Sequence, residues 1–312
     1  MKNLKTNKTA LLCLTAVSSF SLLFHCPVYA FDNPIDTSHK NYFNSRRENP
    51  WDKNSDVSWW AQPILDQGST MFCWSFSGAS AAADQLNRSL RDAGKLTQSS
   101  MVRFDPFYNG WLKTFPSRDT AWESKIFTKP DVVFDNPFET AINQLGSELP
   151  FFVSTLQWGL KKMEGVDFKF APVETSDSFT TLKESFYIIS GFLNRDKETQ
   201  KLVKDSLERY GSLTASLHVP QDLDSLFKIS DDGLILNSDE NLPLNHQVLL
   251  VGWDDDFEFA GTSKKGAWLI QNSWGTDYSC YFCQKDQGYL YVPYDDPTLS
   301  DLGFRQPTSF EQ

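Results

Sequence analysis

Two periodicities divide the chain. From Cys73 through Ser80-Ala81-Ala82-Ala83 to Leu90 the residues are small or helix-favouring and no proline interrupts them, which predicts a helix. The polar loop Gln62–Ser69 ahead of it sets Cys73 in the first turn. A second helix is predicted near Lys197–Tyr210, where apolar residues recur at Leu202, Val203, Leu207 and Tyr210, and a shorter one at Glu139–Leu145. Beyond residue 210 the pattern shortens. Leu213–Val219, His246–Trp253, Ala267–Gln271 and Gly288–Val292 are apolar or alternating runs bounded by turn residues, and they predict strands. Residues 104–140 are rich in Pro, Asp and aromatics without a clean period and predict a long irregular loop or insertion. A helical first half and a stranded second half make an α+β protein of two lobes. There is no internal repeat or low-complexity tract.

The ends read differently. Lys2, Lys5 and Lys8 precede an apolar run from Ala10 to Phe24 and the small-residue site Val28-Tyr29-Ala30, so residues 1–30 are expected to be a secretory signal peptide cut after Ala30. The run is shorter than the roughly 20 residues a spanning helix needs, so no membrane attachment is expected after signal removal. His25 before Cys26 argues against a lipid anchor. The expected location is periplasmic or extracellular. Residues 31–54, with Asn-Pro at 33–34 and 49–50 and the basic pair Arg46-Arg47, read as an extended, weakly ordered leader. Residues 301–312 read as a C-terminal tail.

Charge then narrows the partners. The chain carries 29 Lys and Arg against 40 Asp and Glu, a net charge of −11, and the signal removes three lysines more. Such an acidic protein is a poor match for nucleic acid. The Asp254-Asp255-Asp256 run could bind calcium, although a solvated turn is the better reading. Of five cysteines, Cys73, Cys280 and Cys283 remain after Ala30. In an exported protein a pair plus one odd thiol is the simplest arithmetic, and Cys73 is the odd one.

A thiol attacks a carbonyl as thiolate, and its pKa of about 8.5 falls at a helix N-terminus or beside an imidazolium. Cys73 has the first by position. For the second, His39 lies in the leader and His218 sits before Pro220, whereas His246 is followed at once by a strand that would fix its backbone. An imidazole base also needs a group to hold its tautomer, and Asn272 at the end of another strand fits, with Trp274 shielding it. The backbone N–H of Cys73 and the amide of Gln67 are candidate donors to an oxyanion.

Gln67-Gly68-Ser69, Cys73-Trp74-Ser75-Phe76-Ser77, Asn245-His246-Gln247-Val248 with Val251-Gly252-Trp253, Asn272-Ser273-Trp274-Gly275-Thr276 and Gly288-Tyr289 together resemble the papain-like cysteine peptidases, bacterial secreted type. The resemblance covers about residues 55–295. It implies a peptidase domain at 55–300, with a helical lobe at about 65–170 and an antiparallel, barrel-like β lobe at about 171–295 enclosing the cleft. It implies Cys73 as nucleophile, His246 as base and then acid, Asn272 as orienter, Gln67 as oxyanion donor and Trp274 and Trp74 as supports. Peptides or proteins are the implied substrates, hydrolysed through an acyl-enzyme. No metal or organic cofactor is implied; a monomer is the default, with oligomeric state open.

Three departures from the family pattern bear on substrate and regulation. Thr70, Met71 and Phe72 stand where relatives carry Cys-Gly-Ser, so one family disulfide cannot form, and the bulky Met71 and Phe72 are expected to narrow the cleft. The stretch from Cys73 to His246 exceeds the roughly 130–150 residues common in the family. No helical pro-domain fits into residues 31–54, which are expected either to block the cleft until removal near Arg46-Arg47 or to be a passive terminus. Cys280-Tyr281-Phe282-Cys283 reads first as a disulfide closing a tight loop, then as a redox dithiol, last as part of a zinc site. Two other functions share these residues: a papain-fold binding protein with little turnover, and an acyl transferase using the same thiolate.

Overall fold

The computed structural model describes residues 40–68, 70, 72–108, 110, 160–163, 175–180, 182–192, 196–218, 228–230, 233–235, 242, 244–259, 262–276 and 288–307. The signal peptide, the expected helix at 139–145, Met71, Cys280 and Cys283 lie outside them.

The organising element is the strand His246–Glu258, whose first nine residues are all buried before exposure begins to alternate. A strand reads as continuously apolar when both of its faces are covered. Here Leu249 and Val251 pack with Ala81 of α1, the helix Cys73–Asp92, and with Leu269. Val248 and Leu250 face the other way, into a cluster with Val203 and Leu207 of α2, the helix Lys197–Tyr210. Alternate residues of one strand thus anchor helices on opposite faces of a single sheet.

That sheet is antiparallel and seven-stranded. Its order is β10 (Tyr289–Pro293), β9 (Lys265–Gln271), β8 (His246–Glu258), β5 (Leu213–Leu217), β11 (Ser300–Pro307) and β4 (Leu182–Phe192). Strand β1 (Tyr42–Asn44) continues the β5 edge of β8, pairing with Gly252–Asp254 where β5 has ended at Leu250. A Cβ at Gly252 would come within 2.0 Å of the Phe43 carbonyl oxygen, so this close approach requires glycine. Two further hairpins pair β2 (Leu160–Met163) with β3 (Thr175–Thr180), and β6 (Lys228–Ser230) with β7 (Gly233–Ile235). The architecture is of the α+β class expected from the sequence.

Two expectations about the ends are corrected. Residues 42–54 are not a weakly ordered leader: Tyr42, Phe43, Asn44, Ser45 and Arg46 are buried, Phe43 stacks on Trp253 with centroids 4.9 Å apart, and Trp51 closes the same aromatic cluster. The polar, turn-rich composition is real, but its few aromatics supply the burial and β8 supplies the hydrogen bonds. Residues 300–307 are not a tail either, because β11 lies between β5 and β4 in the sheet interior. The ladder breaks register after Ser300, Leu302 and Gln306, and Asp301 adopts φ 52°. A strand that bulges this often shows no period-two alternation.

Among the described residues no helix is long and apolar enough to cross a membrane. The acidic run is no turn: its carboxylates lie on β8 and diverge to separate partners. Asp254 pairs with Lys53 at 2.5 Å, Asp255 with Lys204 at 2.5 Å and the Tyr294 hydroxyl at 2.6 Å, and Asp256 with Asn41 at 3.0 Å. No group of His, Cys, Asp and Glu among the described residues converges as a metal site would.

Candidate active site

The helix α1 starts without the devices that usually finish a helix. Phe72, at the N-cap position, offers no side-chain acceptor, and no acid stands in the first turn. The first intrahelical bonds come from Ser75 and Phe76 to the Phe72 carbonyl, at 2.7 and 3.0 Å. The N–H groups of Cys73 and Trp74 therefore remain available at the positive end of the helix dipole. Both turn toward the Cys73 thiol, as does the backbone N–H of Gln247, and all three favour its thiolate. Gln247 follows His246, so β8 meets the helix start at the thiol.

His246 opens β8 and Asn272 follows β9. The ladder that aligns Leu249 with Gln271 and Leu250 with Ile270 brings the two together. His246 Nε2 lies 2.8 Å from Asn272 Oδ1, which also accepts the Ser273 backbone N–H at 2.8 Å. A backbone N–H can only donate, so that atom is the amide oxygen, and His246 must carry its proton on Nε2. The basic nitrogen is then Nδ1. Trp274 covers the pair, its ring centroid 5.0 Å from the imidazole.

Gln67 is fixed to the same loop: its backbone N–H donates to the Ser273 carbonyl at 2.8 Å and its Oε1 accepts the Ser273 hydroxyl at 2.5 Å. Its Nε2 donates to the Thr70 carbonyl at 2.7 Å. An amide nitrogen has two hydrogens, so one is left for another acceptor. Ser273 was a mere motif neighbour in sequence. In space it ties Gln67 and Asn272 to one backbone unit.

Burial dominates the electrostatics. Desolvation pushes the Cys73 thiol up to about 11 against the pull of the three N–H groups, and pushes the His246 imidazole down to about 4 although Asn272 favours its charged form. At rest both are neutral. A proton transfer from sulfur to nitrogen would charge two buried groups, and a pair of opposite charges offsets part of the desolvation each would suffer alone.

Phe72 does not narrow a cleft. It is 4 % exposed and packs with Trp74, Phe76, Val102 and Phe104, and its ring lies where a Cβ on Gly110 would approach to 2.6 Å. The bulky residue beside the thiol is core. Trp74 is buried in the same cluster. Cys73 is the one free cysteine among the described residues.

Residues 150–295 match the model of the papain family cysteine protease. That stretch, just under half of the chain, is similar to the papain family. The matched span carries His246 and Asn272, and Cys73 and Gln67 lie in the chain before it. No curated protein matches. Solved structures similar to this chain include a clostridial cysteine protease, Cwp84, after propeptide cleavage, at 23 % identity and TM-score 0.48 over 80 % of this chain and 56 % of that one. The cysteine protease and lectin-like domains of Cwp84, a surface layer associated protein of Clostridium difficile, match at 22 % identity and TM-score 0.46, over 80 % and 50 % of the two chains. Digestive procathepsin L 3 of the Tenebrio molitor larval midgut matches at 16 % and TM-score 0.48, over 90 % and 73 %. The chain thus spans about half the length of the two Cwp84 structures.

Proposed function

We propose that the chain is an exported peptidase that hydrolyses peptide bonds through a thioester acyl-enzyme on Cys73. The observation that carries the reading is the oriented imidazole: Nε2 is held by Asn272 at 2.8 Å while the backbone N–H next to His246 reaches the Cys73 thiol. The Cys73 proton passes to His246 Nδ1 and sulfur attacks the scissile carbonyl carbon. The oxyanion accepts from the Cys73 N–H and the remaining Gln67 Nε2 hydrogen. Collapse breaks the C–N bond, and the leaving amine takes the proton from Nδ1. Water then gives a proton to His246, attacks the thioester, and releases the acid with the thiol restored. Asn272 holds the ring throughout, and Trp274 keeps water from that hydrogen bond.

The organisation belongs to the same proposal. The helical lobe, with the cluster around Phe76, and the β lobe, with the cluster around Leu250, carry Cys73 and His246 respectively. Residues 1–30 direct export, by their lysines and apolar run. The binding-protein alternative drew on bulky Met71 and Phe72 at the groove and on the lack of a recognisable glycine wall; of these Phe72 is core, and Met71 lies outside the described residues.

The experiment is labelling by an epoxide inhibitor of thiol peptidases, read by intact mass, with hydrolysis of a fluorogenic peptide library alongside. One inhibitor mass added to the wild type and none to Cys73→Ala, with hydrolysis lost in the variant, is expected. Cys73-dependent labelling without hydrolysis of any peptide would point to acyl transfer or binding instead.

A further inference from the structure

Among the described residues the most deeply buried cation comes from the segment that sequence alone reads as a leader. Arg46 is 1 % exposed, and its guanidinium divides between two elements of the active site. Nη1 pairs with Asp84 Oδ1 at 2.5 Å, and Nε donates to Gln271 Oε1 at 2.8 Å. Asp84 lies on α1, the helix that Cys73 begins, and its other oxygen accepts the Ser212 hydroxyl at 2.6 Å. Gln271 ends β9 immediately before Asn272, and its own Nε2 donates to the Pro63 carbonyl at 3.1 Å. The backbone that carries Arg46 is itself held by β8, through β1 and through the Ser45 N–H to the Val251 carbonyl at 2.9 Å.

We propose that Arg46 is a positioning residue of the peptidase: from residues 42–54 it locks the helix bearing Cys73 to the strand that leads into Asn272. The inference rests on the cysteine–histidine reading above. A guanidinium is suited to the task because its fork bonds two acceptors in different directions, which a lysine ammonium on a flexible stem does not reproduce. Its carrier strand adds the third member, because β1 pairs with the β8 strand that His246 opens. Residues 42–54 are then an activating part of the enzyme. Cleavage at Arg46-Arg47 would leave β1 and the clamp joined to the rest of the enzyme by noncovalent contacts alone, so any maturation cut that leaves an active enzyme falls before Tyr42.

The test uses the full chain with Arg46→Lys, and with Arg46→Met combined with Asp84→Leu. Replacing both members of a buried pair by apolar residues avoids the stranded charge that a single change leaves. The readouts are the rate of Cys73 alkylation by iodoacetamide from about pH 5 to about pH 9, followed by intact mass, and kcat and KM on a fluorogenic peptide. Near-UV circular dichroism and a cooperative melt verify folding. The folded double variant is expected to alkylate at least about tenfold more slowly at neutral pH, with kcat reduced and KM little changed, since a small misplacement of reacting groups costs that much or more. Arg46→Lys should fall between it and the wild type. A folded double variant with the wild-type alkylation profile and kcat would overturn the proposal. If the double variant does not fold, Arg46→Lys decides: it keeps a charge for Asp84 and gives up the bond to Gln271, and an unchanged profile overturns the proposal equally. Alkylation reads the dyad without turnover, so a wild type that alkylates rapidly and hydrolyses nothing defeats the peptidase reading and leaves this one standing.

Discussion

The two described helices begin in opposite ways. At α2, Asp196 accepts the Thr199 N–H at 2.7 Å and Glu198 stands in the first turn, so the helix start is closed by its own side chains. Its far end is closed as well: Gly211, at φ 84°, donates to the Leu207 carbonyl, while Gln85 and Arg88 of α1 reach the Tyr210 and Glu208 carbonyls. At α1 the start is left open, with an apolar Phe72 in the cap position and N–H groups turned to a thiol instead of a capping side chain. A finished cap adds stability, whereas an open one leaves positive potential available for a sulfur anion or an oxyanion. The fold thus closes the helix that only packs and leaves open the one that presents Cys73.

The largest effect that would sharpen the contrast comes from the far side of the open end. Asn272→Ala removes the acceptor for His246 Nε2–H, so the ring loses both its tautomer and its orientation. We expect kcat to fall by about 100-fold while KM moves little, a drop typical of losing one acid–base contribution. Peptide hydrolysis under saturating substrate measures it. Wild-type kcat in a folded Asn272→Ala protein would show that the imidazole is held by something other than this bond.

A smaller effect is expected in how stability depends on pH, and it should arise at the α1 start. The His246 imidazole is pushed down to about 4 from its ordinary 6.5, so folding favours the neutral ring. Its contribution is full above pH 6.5 and is lost as the pH falls toward 4. The Cys73 thiol is pushed up to about 11 from 9.0, so folding favours the neutral thiol, with a contribution that is full below pH 9.0 and lost as the pH rises toward 11. Urea melts across this range should give a plateau between the two limits. Cys73→Ala should flatten the alkaline arm and leave the acid arm, and an alkaline arm unchanged by that substitution would place its origin elsewhere.

Much of this was legible in the sequence where the signal is local. The helix Lys197–Tyr210 follows from an apolar period, and the strands carrying His246 and preceding Asn272 follow from short apolar runs. What escaped is what only distant partners define. Arg46 looks like half of a solvated basic pair until Asp84, 38 residues on, and Gln271, 225 residues on, close around it. The strand Ser300–Pro307 is bulged and polar, and is a strand because β4 and β5 lie on either side of it. Phe72 has the bulk to obstruct a groove, but bulk does not give direction, and Gly110 makes room for it in the core.

The smallest effect tests the closed helix. Asp196→Ala removes the oxygen that accepts the Thr199 N–H and should cost about 1 kcal/mol of stability, the usual value of an N-cap. The start of α2 carries none of the groups around the thiol, so the alkylation rate of Cys73 and kcat should both remain at wild-type values. Urea denaturation and iodoacetamide kinetics on the same preparation separate the two. A stability loss with unchanged reactivity is what a cap that only packs predicts. If reactivity fell with stability, the α2 start would be coupled to the dyad through Val203, Leu207 and the β8 residues they pack against, and the division of labour between the two helix starts would not hold.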